Sequence, residues 1–292
     1  MFNQYLVSKL VNKITFVTGN GKNVGKTTFL NYLLPQLRDN GDRIAYLTVG
    51  IDGEKEDLIF GTPKPGIIAE VNDYIVTCDS AATASDANFE VAEVFPFSTE
   101  LGKLLLLKTL RAGSVELIGP ENNMQLNYIL NYLKEVTKIN TVLIDGAVNR
   151  ITQIASASDS EFIYIMKVSA KNIMKSVNQI KMLSVIKNFP LLSCNNLDEK
   201  DYYLCEGALT NIKASKIPER VKHILINDFT KIFLTWNELS DLLKNRKIYY
   251  EEKYHLCCIS VNLYDTDKEE FTKILSDNNI KEEIVFNPYE YI

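Results

Sequence analysis

Over the first 190 residues the chain alternates short apolar runs with helix-length amphipathic stretches. Residues 14–18 (ITFVT) are β-branched and aromatic, and they feed a glycine-rich turn from Gly19 to Gly25. Behind the turn, Phe29, Leu30, Leu33, Leu34 and Leu37 recur at the spacing of one buried helix face. Pro35 lies within that stretch and predicts a bend or an early stop, because it has no amide proton and crowds the carbonyl four residues back. Asn40-Gly41-Asp42 ends the helix, and 44–49 (IAYLTV) is the next strand. Strand, glycine turn, helix and strand in that order make a βαβ unit, which favours a parallel sheet covered by helices.

The rhythm returns further on. Residues 115–118 (VELI) predict a strand stopped by Gly119-Pro120, and Met124 to Val136 an amphipathic helix. Residues 141–144 (TVLI) predict a buried strand ending at Asp145-Gly146; 162–166 (FIYIM) is another, and Ala170 to Lys187 another helix. Between Asp52 and Ser114 the pattern is less regular, with a loop at 62–66 and a turn or helix start around 81–86. Past Pro190 the character shifts to short strand candidates at 202–205, 224–226 and 257–261 around one helix from Trp236 to Asn245. The expected organisation is a doubly wound, mostly parallel α/β domain over 1–190, followed by a C-terminal extension or small α/β lobe over 191–292.

Charge and composition narrow the function classes. The balance of 32 Lys+Arg against 37 Asp+Glu gives a net charge of −5, so no global field exists to hold a nucleic-acid backbone. Five scattered cysteines without a C-x-x-C pair and only two histidines assemble no recognisable zinc site, and free thiols suit a reducing compartment. No apolar run is long enough to cross a membrane, and the N-terminus has no signal-peptide pattern. The expectation is a cytoplasmic protein that binds neither nucleic acid nor membrane.

The chemistry concentrates in Thr18-Gly19-Asn20-Gly21-Lys22-Asn23-Val24-Gly25-Lys26-Thr27-Thr28, where a strand feeds a glycine-rich loop that opens a helix. Successive amides and the helix N-terminus can hold phosphate oxygens there. Lys26 would reach the β- and γ-phosphates, and the Thr27 hydroxyl would ligate Mg²⁺. The usual spacing of Gly, four residues, Gly-Lys-Thr would need glycine at position 20, where the chain has Asn20, so the gap counted from Gly19 is longer by one. The competing reading is a tight turn with a solvent-facing lysine. Asp145, closing an apolar strand, is a candidate Mg²⁺ ligand or a helix N-cap. Asp52, just past the second strand, resembles the aspartate that related P-loop ATPases place there to orient water or bind Mg²⁺, with Glu54, Glu56 and Asp57 as rivals and a solvated acidic turn as the alternative. Asn227-Asp228 could read an adenine edge or form a plain turn.

The longer loop, with valine before its second glycine, resembles the P-loop of dethiobiotin synthetase and the cobyric-acid-synthase group, relatives of dimeric partitioning ATPases. Lys22 is similar to the signature lysine of the partitioning branch, one residue closer to Lys26 than expected. Asp145-Gly146-Ala147 is similar to the acidic-Gly-Ala turn of these groups, and Lys64-Pro65 to their Lys-Pro after the second strand. Three stretches together, GNGKNVGKTTFLNYL (19–33), LTVGIDGEKED (47–57) and VELIGP with VLIDGAVNR (115–150), resemble the reactivase accessory subunit of adenosylcobalamin-dependent lysine 5,6- and ornithine aminomutases. That resemblance implies a cytoplasmic Mg²⁺–ATP-binding ATPase whose partner is the cobalamin-dependent aminomutase or a second reactivase subunit, with a homodimer left open. An ATP-dependent carboxylate ligase of the dethiobiotin synthetase type and a non-hydrolysing nucleotide-binding scaffold are the alternatives.

Overall fold

A computed structural model describes residues 4–21, 23–41, 43–49, 66–146, 160–192, 202–252 and 255–291. The first unit follows the sequence pattern: β1 (Ile14–Gly19), α2 (Lys26–Asp39) after a short N-terminal α1 (Gln4–Leu10), then β2 (Ile44–Thr48). Next come β3 (Ile67–Ala69), β4 (Tyr74–Cys78), the short helix α3 (Asp79–Ala84), and a long hairpin of β5 (Asn88–Thr99) and β6 (Gly102–Arg111). After β7 (Gly113–Val115) and α4 (Asn123–Tyr132), β8 (Thr141–Asp145), β9 (Ser160–Ser169) and α5 (Ile173–Ile186) complete the first 190 residues.

The remainder holds β10 (Tyr202–Leu204), β11 (Leu209–Thr210), α6 (Asn211–Lys216), β12 (His223–Ile226), β13 (Ile232–Phe233), α7 (Trp236–Leu243) and β14 (Lys247–Tyr250). It ends with β15 (His255–Tyr264), α8 (Lys268–Asp277) and β16 (Ile284–Phe286).

Nine strands form one sheet in the order β16-β15-β9-β1-β8-β2-β4-β6-β5. Pairing is parallel from β16 to β4 and antiparallel only from β4 through β6 to β5. The protein is therefore α/β, with a large, mostly parallel sheet flanked by helices. Both faces of the central strands are covered, which is why they read as continuous apolar runs. Phe16, Leu47, Ile144 and Phe162 face a core shared with Leu126 and Ile129 of α4 and Val177 and Ile180 of α5. Val17, Tyr46, Leu143 and Ile163 face the opposite core, filled by Phe29, Leu30, Leu33, Leu34 and Leu37 of α2. No helix among the described residues is long and apolar enough to cross a membrane.

The structure departs from the sequence pattern in four places. Helix α2 runs through Pro35 to Asp39. Pro35 sits on the exposed side while Leu33, Leu34 and Leu37 are fully buried, so packing outweighs the lost hydrogen bond. The expected strand at 115–118 is reduced to the end of β7, which pairs with β3 in a separate two-stranded antiparallel ribbon. The stretch that looked irregular contributes the long β5–β6 hairpin to the sheet. Finally, the sheet crosses the boundary drawn at 190. Strands β10, β12 and β14 form a small parallel sheet of their own, but β15 and β16 join the main sheet beside β9. The ring of Phe229 also stacks on Phe162 of β9, with centroids 4.5 Å apart, so one core continues across position 190.

Helix α2 is fixed at its far end by a buried polar cluster. Asp73, 3% exposed, accepts hydrogen bonds from Arg38 Nε at 3.1 Å and Nη2 at 2.5 Å, from the Tyr46 hydroxyl at 3.0 Å and from the Glu70 amide at 3.0 Å. Burial and the neighbouring Asp73 carboxylate push the Tyr46 hydroxyl far above its usual ionisation range, so it stays a donor.

Candidate functional site

The glycine-rich loop leaves β1 under tight constraint from β9. Gly19 lies opposite Ile165, and a Cβ there would stand only 2.5 Å from the Ile165 carbonyl oxygen. The Asn20 amide donates to that same oxygen at 3.2 Å. At the other end Gly25 is the N-cap of α2 in the left-handed region, with φ of 96°, and no side chain caps the helix. The first-turn amides of α2 are thus not taken up by a capping side chain, the arrangement that lets a helix start meet an anion. Lys26 turns back over the loop and donates from Nζ to the Gly21 carbonyl at 3.1 Å.

The Thr27 hydroxyl donates to Asp145 Oδ2 at 3.3 Å. The topology explains this meeting. Strand β8 lies directly between β1 and β2, with Asp145 level with Val17 on one side and Thr48 on the other. The Asp145 backbone carbonyl is held by the Thr48 hydroxyl at 2.9 Å and the Val49 amide at 3.1 Å. Its carboxylate, 3% exposed, is delivered to the carboxyl edge of the sheet, where ligands of open α/β sheets bind. A hydroxyl and one carboxylate oxygen converging at the start of a helix suit Mg²⁺, which takes few protein ligands and completes its shell with phosphate oxygens and water. No cluster of three or more His, Cys, Asp or Glu side chains able to cage a metal occurs among the described residues.

Thr27 and Asp145 also open onto a cavity of about 320 Å³, at the lower end of the range for small-molecule pockets. Its lining includes Ala84, Ser85 and Asp86 at the end of α3 and Ser114 and Glu116 around β7. The charged groups among its described lining, Asp86, Glu116 and Asp145, are all acidic.

The structure brings Gly19, Asn20, Gly21, Asn23, Val24, Gly25, Lys26, Thr27 and Thr28 into one loop and helix start, with Asp145 beside Thr27. Asn23 adopts a left-handed backbone, φ 53°, two residues before Gly25. Lys22, Asp52 with its acidic rivals, and Lys64-Pro65 lie outside the described residues. Asn227 and Asp228 form a turn: Asp228 is completely buried and its Oδ1 accepts from the Thr230 amide at 2.7 Å and from the Thr230 hydroxyl. Burial raises the Asp228 carboxyl above its usual value. The adjacent thiols of Cys257 and Cys258 are likewise pushed up by burial, the former to about 12, which makes them packing residues with little thiolate character.

One residue at the site had not been singled out. Asn262 of β15 donates from Nδ2 to the Val24 carbonyl at 2.6 Å, and its amide occupies the space a Cβ on Gly25 would need. The available signal was an amide near the end of the largely apolar strand HLCCISVNLY. No protein-family model matches this chain, and no curated protein matches it at a significant level.

Proposed function

We propose that this chain is a P-loop nucleotide-binding protein of the doubly wound type that holds a Mg²⁺–nucleoside triphosphate and works as an NTP-driven accessory factor. The observation that carries the reading is the convergence of Thr27 and Asp145 at the uncapped start of α2, 3.3 Å apart, behind a loop whose Gly25 is left-handed. Thr27 and Asp145 would hold Mg²⁺, which would supply charge neutralisation for the phosphates. The loop amides would position the phosphates, and Lys26 would swing from the Gly21 carbonyl to the outer ones. Lys26 and Asp52 are the residues assigned to the chemical step, which in phosphoryl transfer is mostly positioning and charge neutralisation. ATP as the nucleotide, and a cobalamin-dependent aminomutase or second reactivase subunit as the client, rest on the sequence resemblance.

A thermal-shift series with Mg²⁺ and nucleotide, on wild type and Lys26→Ala, tests the site. Nucleotide at about a hundred times its Kd adds roughly 2.7 kcal/mol to wild-type stability. Lys26→Ala is expected to lose that shift; an equal shift in both proteins would remove the assignment. Nucleotide turnover stimulated by purified aminomutase tests the client.

The cavity beside Thr27 and Asp145 supports a second reading, a ligase of the dethiobiotin synthetase type, since it would leave room for a small substrate beside a nucleotide held at α2. That reading expects substrate-dependent release of nucleoside diphosphate with no protein client. A scaffold that binds without hydrolysis would show the thermal shift and no turnover under either condition.

A further inference from the structure

The entry to the glycine-rich loop is held by side chains that the phosphate and metal chemistry does not use. Tyr164 of β9 lies opposite Thr18 of β1, at the point where the chain leaves the sheet. Its ring, 6% exposed, packs in the core shared with Val177 and Ile180 of α5. The Tyr164 hydroxyl accepts a hydrogen bond from Gln179 Nε2, and Gln179 Oε1 accepts one from Asn20 Nδ2 at 3.3 Å. Asn20 is therefore gripped twice, through its side chain by Gln179 and through its amide by the Ile165 carbonyl. Both grips lead back to consecutive residues of β9.

Gln179 is itself well fixed. Burial pushes the Tyr164 hydroxyl above its usual ionisation range, so it stays protonated and offers Gln179 an uncharged acceptor. Val177, Ile180, Leu183 and Ile186 seat α5 on the sheet, and the Ile186 carbonyl accepts the buried Tyr250 hydroxyl at 3.0 Å. A side chain carried on so constrained a helix holds its position better than one on a loop. At the other end of the line, Gly21 follows Asn20 and its carbonyl receives Lys26 Nζ. The contacts thus run from the core through Tyr164, Gln179 and Asn20 to the residue on which Lys26 rests.

We propose that Gln179 is a positioning residue of the phosphate site, acting through Asn20. The inference rests on the nucleotide-binding reading above and deepens it by naming a residue outside the loop on which phosphate affinity depends. The usual loop spacing has glycine at position 20, with no side chain to place. Here a side chain is present and must be kept clear of the phosphates. Helix α5 covers the sheet face opposite to α2, so the bond to Gln179 draws the Asn20 side chain away from the helix start where phosphate would bind. It also fixes the first turn of the loop before any ligand arrives, and order established in advance is not charged against binding.

The test is isothermal titration of the full chain with Mg²⁺–ATP and with magnesium tripolyphosphate, which carries the phosphates without base or sugar. Gln179→Met keeps length and helix propensity but forms neither hydrogen bond, so the fold is retained. It is expected to bind both ligands about tenfold more weakly than wild type. In an Asn20→Ala background the same change should have no further effect, because the residue it acts on is gone. A role in packing alone would cost the same in both backgrounds, and that result overturns the route through Asn20. Unchanged affinity in Gln179→Met overturns the positioning role while the phosphate site stands. Weaker ATP binding with tripolyphosphate unaffected places the effect away from the phosphates and overturns it as well. Binding of neither ligand by wild type overturns this inference together with the reading beneath it.

Discussion

The two ends of helix α2 each meet a buried aspartate, and the two are treated in opposite ways. At the C-terminal end Asp73 is neutralised by Arg38 through two hydrogen bonds and further held by Tyr46 and a backbone amide. At the N-terminal end Asp145, equally buried at 3% exposure, faces the Thr27 hydroxyl and lines a cavity. Asp73 is an anchor whose charge is spent inside the protein. Asp145 stands at the edge of a cavity beside the helix start, where the proposed reading puts Mg²⁺. The contrast teaches that burial alone does not mark a functional acid: the donor set around it and the space in front of it do.

Removing Asp73 should have the largest effect on the protein itself. Asp73→Ala leaves the Arg38 guanidinium without its partner in a half-buried setting, and breaking such a pair costs about 3–5 kcal/mol. Urea denaturation should show a midpoint lowered accordingly; a midpoint close to wild type would mean that the far end of α2 needs no anchor. At the near end, Asp145→Asn should cost less stability without ligand, under about 2 kcal/mol, because its hydrogen-bonding shape is kept. The same substitution should remove the Mg²⁺-dependent part of any nucleotide-induced thermal shift. If it destabilised the free protein as much as Asp73→Ala does, the distinction between the two ends would collapse.

A third buried aspartate sharpens the comparison with the smallest effect. Asp228 has no ion pair among the described residues; burial raises its carboxyl above 3.8, outweighing the bonds from Thr230 and the nearby charge of Lys231, which favour the carboxylate. A raised acid binds its proton more tightly in the native state. Stability is therefore fully present below the unfolded value near 3.8 and declines as pH rises through the native value. Asp228→Asn should flatten that decline, measured by denaturant midpoints from pH 4 upward. An unchanged slope would assign the pH dependence to other groups.

The β1–loop–α2–β2 unit was legible because each signal in it is local: a β-branched run, two glycines that the backbone needs, and leucines at helical spacing. The same holds for Asp145, marked by its position at the end of an apolar strand. The β5–β6 hairpin was not legible, because β5 is an edge strand whose covered face carries Glu93 and Thr99 while its exposed face carries Val94, so residue type does not follow the alternation of burial, and Pro96 argues against a strand. Strand β15 was readable as a strand, but its place beside β9 was not. Pairing across roughly ninety residues leaves no periodic trace in either segment, as strand pattern reports burial and not partner. Asn262 was missed for the same reason, since its significance lies in a contact with a loop at the opposite end of the chain.

That contact also orders events in time. Val24 and Asn262 are 238 residues apart, yet their hydrogen bond closes the back of the loop. A chain emerging from the ribosome completes the loop's own residues early and must wait for β15 to be released before Asn262 can reach them. Closing so long a span is slow relative to forming the local βαβ unit. The loop is thus backed only once β15 has taken its place in the sheet, and a growing or truncated polypeptide that stops short of β15 lacks that backing.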